Sequence, residues 1–94
     1  MIALDDVDAI QGCVEDVMSR MGCQGDAALG DGAVEIDGET GAVHVTVPHD
    51  ADAGTFCYIL SNTLRIAGYS TLGVWIDSWN PTIVKIDEKE DEVE

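Results

Sequence analysis

The hydrophobic period of this chain switches between 3.6 and 2 three times, and that alternation constrains its fold more than any other feature. Val7, Ile10, Cys13, Val14, Val17, Met18 and Met21 recur at helical spacing over residues 5–21. At 100° per residue they fill an arc of about 140°, the pattern of a helix lying on a core. Asp5 or Asp6 is the expected N-cap and Gly22 the expected left-handed stop. Asp8, Glu15, Asp16, Ser19 and Arg20 fall outside the arc and should be solvated. Residues 22–33 hold Gly22, Gly25, Gly30 and Gly32 with Asp26 and Asp31, and read as loop. Period-two alternation then runs through Ala33–Asp37 and Ala42–Val47, around Gly38-Glu39-Thr40-Gly41, which reads as a β-hairpin ended by Pro48.

Helical period returns after Asp50 or Asp52, either of which offers an N-cap, and lasts to Ala67 before Gly68. Ala53, Phe56, Cys57, Ile59, Leu60, Leu64, Ile66 and Ala67 span about 180°, wider than the first helix. That width predicts the more deeply buried helix, placed centrally on the sheet. Leu72–Asp77 and Thr82–Ile86 make a second hairpin around Ser78-Trp79-Asn80-Pro81. The order α-β-β-α-β-β predicts an α+β two-layer sandwich: an antiparallel-rich four-stranded sheet with two helices on one face. Ninety-four residues suffice for one such domain. We expect it to occupy residues 1–86, with 87–94 a disordered acidic tail.

The chain has 19 acids against 4 bases, a net charge of −15. Residues 87–94 account for −5 of this, so the remaining 86 residues still carry −10. A body so acidic repels itself at low ionic strength. Asp outnumbers Glu by 12 to 7, Lys falls to 2, and Val and Ala supply 19 residues. This composition resembles that of haloarchaeal cytoplasmic proteins, in whose molar salt the screening length falls to about 3 Å. The alternative is an ordinary acidic protein with a charged tail. Nucleic acid is disfavoured as a partner, because its binding surfaces need clustered Lys and Arg. Here Arg20, Arg65, Lys85 and Lys89 are scattered. No apolar run approaches the roughly 20 residues of a membrane span. The start, Met-Ile-Ala-Leu-Asp-Asp, lacks a basic n-region and a long apolar h-region. Cys13, Cys23 and Cys57 are an odd set without a C-x-x-C pair, which favours a reducing cytoplasm over a disulfide framework.

No spacing signals a reaction centre. His44, His49 and the three cysteines lack the tight intervals of zinc sites, and Cys13 and Cys57 suit the apolar faces of their helices. His49-Asp50 is similar to a metal-phosphohydrolase doublet whose other histidines are missing, and helix capping explains Asp50 better. Asp26-Ala27-Ala28-Leu29-Gly30-Asp31 breaks the alternation of a calcium loop. Gly30-Asp31-Gly32 follows a helix and opens a strand, the reverse of a phosphate cradle. No Gly-x-Ser-x-Gly occurs, and no spacing joins a Cys to a His. No cofactor is expected.

One feature exceeds packing needs. If Val34, Ile36, Val43, Val45, Val47, Leu72, Val74, Ile76, Val84 and Ile86 face the helices, then Trp75, Ile83, His44 and Thr46 share the other face, with Trp79 in the turn beyond. Trp on an exposed sheet face marks interfaces, since aromatics dominate interface cores. Packing of Trp75 against Lys85 and Ile83 is the simpler explanation. These residues suggest a protein-interaction or accessory module that binds a copy of itself or another protein. A small-molecule or catalytic pocket at the same face, with His44 as its proton-transfer residue, is the alternative, and a Cys/His metal protein is a weaker one.

Over residues 5–86 the helix–hairpin–helix–hairpin order resembles the type III secretion chaperone-like fold, with one strand fewer. That resemblance implies protein binding through the sheet, often as a dimer. The same order is similar to half of a LAGLIDADG endonuclease unit, but the acidic dodecamer motif and the basic DNA surface are missing. Fold analogy of this kind assigns no function.

Overall fold

The computed structural model describes residue 2, residues 4–25, residue 28 and residues 30–88. Its elements are α1 (Leu4–Met21), β1 (Val34–Ile36), β2 (Val43–Thr46), α2 (Ala53–Ile66), β3 (Leu72–Ile76) and β4 (Ile83–Glu88). The order is the α-β-β-α-β-β that the periodicity predicts, and the sheet is wholly antiparallel. No helix among the described residues is long and apolar enough to cross a membrane.

Both helices end in the same way. Gly22 and Gly68 have φ of 68° and 101°. After each, a backbone N–H reaches back five residues, Cys23 to Met18 at 3.0 Å and Tyr69 to Leu64 at 2.8 Å. The glycine N–H groups bond the Ser19 and Arg65 carbonyls. This is the Schellman closure, and only glycine enters it without a steric cost at Cβ. The starts differ from expectation for α1 alone. Asp5 and Asp6 lie inside its first turn, because the helix begins at Leu4. Asp52 caps α2, its carboxylate accepting from the Thr55 N–H and hydroxyl, both at 2.9 Å.

The strands lie in the order β1-β2-β4-β3. Two hairpins in sequence thus interlock: β4 enters between β3 and β2, so β2–α2–β3 is a split β-α-β unit with parallel outer strands. Val43, Val45, Val84 and Ile86 are completely buried. They meet Ile10, Val14 and Val17 of α1 and Phe56, Leu60 and Leu64 of α2 in one cluster. The alternate strand residues are only half buried. Both helices therefore cover one face of the sheet, and no described element covers the other.

Two expectations need correction. The wide apolar arc of α2 is not buried across its whole width: Ile66 is 80% exposed, and Ala67, the C-cap residue, is exposed. Phe56, Leu60 and Leu64, spaced by four, fill the seam, and Ile66 stands about 200° round the helix from Leu64. Nor is α2 central, since it packs on β3, an edge strand. Residues 87 and 88, expected in the acidic tail, are strand. Asp87 and Glu88 belong to β4, opposite Gly73 and Leu72, because β3 offers them backbone partners while their carboxylates stay at the surface. Residues 89–94 of that tail lie outside the described residues, as do Asp26, Ala27 and Leu29 of the loop considered for calcium.

Candidate functional site

The uncovered sheet face is built by register. Glu35, His44, Lys85 and Trp75 stand side by side across all four strands, one from each. Thr46 and Ile83 form the next row, and the Asp77 N–H extends it by bonding the Ile83 carbonyl at 2.9 Å. Trp75, Ile83, His44 and Thr46 are thus brought onto one surface. Trp79 sits in the β3–β4 turn, 94% exposed, its N–H donating to Asp77 Oδ1.

Trp75 is 45% exposed, a large apolar surface in water on a charged molecule. Around it the polar groups are tied to one another. Lys85 Nζ lies 3.9 Å from Asp77 Oδ2, and His44 Nε2 lies 3.8 Å from Asp37 Oδ2. That histidine nitrogen is shut off from solvent and makes no hydrogen bond among the described residues. The Asp37 carboxyl is held below the usual carboxylate range, first by the Glu39 N–H and then by the Thr40 hydroxyl and the His44 ring. Near Trp75 and Ile83 the surface offers apolar area bordered by the Lys85–Asp77 pair.

A second constellation has no sequence spacing to announce it. Asp31, only 4% exposed, grips His49 twice. Its Oδ1 accepts the His49 backbone N–H at 3.0 Å, and its Oδ2 lies 2.6 Å from Nδ1. An ionised carboxylate can only accept, so the ring carries a proton on Nδ1. Beside it, Asp50 accepts the Gln24 N–H at 2.6 Å. Asp50 is therefore a tie between loops, and the cap expected of it is made by Asp52. The Cys23 thiol is pushed up by burial and then by Asp50 and Asp31, the opposite of nucleophile activation. Burial raises the Cys13 and Cys57 thiols also.

Asp31 also lines a cleft of about 380 Å³ with Gln11, Glu15, Met18, Gly25, Gly30, Gly32 and Ala33. None of the five residues expected at a site borders it, so this cleft lies apart from the sheet face. Gly32 donates to Thr46, which confirms that Gly30-Asp31-Gly32 opens a strand. All three cysteines are free. Among the described residues no three His, Cys, Asp or Glu side chains gather as a metal site.

No family model, curated protein or solved structure matches the chain.

Proposed function

We propose that the chain is a small, salt-adapted interaction or accessory module that presents its open sheet face to a protein, a copy of itself or another chain. The observation that carries this reading is Trp75, half exposed beside Ile83 on the face that neither helix covers. Tryptophan is among the residue types that carry most of the binding energy at interfaces. The composition supports the habitat: with −15 on 94 residues, the fold and any association are favoured by molar salt and a cytoplasm rich in it.

The test compares the wild type with Trp75→Ala and Ile83→Asp in molar KCl. Circular dichroism reads the fold, and binding is read with a labelled copy and with proteins captured from the producing cells. Unchanged spectra with binding lost in both variants are expected. Full binding by both variants, or none by the wild type, overturns the reading.

A further inference from the structure

The charge of this molecule is distributed unevenly along its elements. None of the 19 acids lies between Ala53 and Ile76, a stretch of 24 residues whose single charge is Arg65. That stretch is α2 and β3, which pack on each other at one end of the sheet. Whichever flank of α2 overhangs the edge, it carries no carboxylate.

The two sheet edges differ accordingly. β1 is three residues long and bears Glu35, with Asp37 directly after it. Shortness and charge are the usual protections of an edge. β3 is Leu-Gly-Val-Trp-Ile, five residues with no charge, no proline and an unbroken one-to-one register against β4. The Asp77 N–H bonds the Ile83 carbonyl directly opposite it, so hydrogen-bonded pairs alternate back to Trp75–Lys85 and Gly73–Asp87. The main-chain groups of Val74 and Ile76 therefore point away from β4. Among the described residues they make no hydrogen bond outside the sheet, and no strand lies beyond them.

We infer that this edge pairs with the β3 edge of a second copy, antiparallel about a two-fold axis through Val74, to give one eight-stranded sheet. The inference rests on the interaction-module reading and names its partner. In that register Val74 meets Val74 of the second copy through two hydrogen bonds, and each Ile76 N–H meets the opposite Leu72 carbonyl. Trp75 then falls opposite Gly73 of the second copy, in a non-bonded pair where side chains approach most closely. Gly73 has no side chain there, so the indole lies over its backbone, an aromatic-over-glycine arrangement that stabilises strand pairs. A second copy suits the surface because β3 and α2 carry no acid of their own, and Asp87 and Glu88 stand one strand back from the edge. Another protein would have to supply both the strand and the matching glycine.

Amide hydrogen exchange in molar KCl tests the inference, at a concentration where light scattering gives twice the 10.0 kDa chain and again after dilution to monomer. The Val74 and Ile76 amides are expected to exchange at least about a hundredfold more slowly in the concentrated sample, as ladder hydrogen bonds require. Val74→Pro removes an outward N–H that the monomer does not use, a substitution edge strands tolerate, and should yield a folded monomer. A monomer at every concentration, fast Val74 exchange in a dimer, or a folded Val74→Pro dimer overturns the inference. If that variant does not fold, the wild-type exchange decides. Ile83→Asp separates the two readings: self-association lost in that variant but kept in a folded Val74→Pro would overturn the edge pairing and leave the open-face reading standing.

Discussion

Phe56 shows how little the core can lose. Its side chain is fully buried in the core cluster, in line with Leu60 and Leu64. Truncating a buried Phe to Ala costs about 3–5 kcal/mol, and a domain of this length has about 5–14 kcal/mol in all. Phe56→Ala should therefore shift the urea midpoint strongly downward or leave the chain unfolded; an unchanged midpoint would mean the ring is not in the core. Asp52 is a different case, because its effect depends on pH. The Thr55 N–H, then the Thr55 hydroxyl, hold its carboxyl below the usual range. The stability it adds is complete above the unfolded carboxylate value near 3.9 and is lost as pH falls through the lower folded value. In molar KCl, where repulsion among the other acids is screened, wild-type α2 should lose helicity in acid. Asp52→Asn keeps a capping oxygen without the titration, and its circular dichroism should change less between pH 5 and 2. Equal acid sensitivity of the two would contradict the assignment.

At the scale of elements, the closures and the strand order matter most. Gly68 has φ of 101°, where a Cβ is strained. Gly68→Ala should cost about 1–2 kcal/mol, which for a chain this size lowers Tm by about 4–8 °C for each kcal/mol. A smaller loss would mean that Tyr69 and Leu64 can close the helix another way. Helix, hairpin, helix and hairpin were legible because each is specified by local period, and so were the alternating faces that bring Trp75, Ile83, His44 and Thr46 together. The order β1-β2-β4-β3 was not, since the β2–β4 pairing joins residues about forty apart and leaves no trace in spacing. The same holds for Asp31 and His49, which meet only because Gly32 and Thr46 start the first hairpin's register. The end of β4 was hidden by composition: Asp87 and Glu88 look like tail, yet a strand at the surface needs only backbone partners.

The whole molecule is governed by charge and by where charge is missing. A chain of −15 should hold its fold in molar KCl and lose structure as salt is removed, because screening weakens from about 3 Å at 1 M to 30 Å at 0.01 M. Circular dichroism across a KCl titration reads this directly, and full structure in dilute buffer would contradict salt adaptation. Association should follow the same course, since like-charged copies approach only when their repulsion is screened. α2 and β3, which carry no acid of their own, with Trp75 on β3, are where such an approach costs least. The most direct measurement of the central claim, that this surface exists to be covered, is light-scattering mass in molar KCl across a range of protein concentration, for the wild type and Trp75→Ala. A rise toward about 20 kDa, twice the 10.0 kDa chain, in the wild type and its loss in the variant are expected. A wild type that stays at the mass of one chain, or a variant that associates as well as the wild type, would contradict the account.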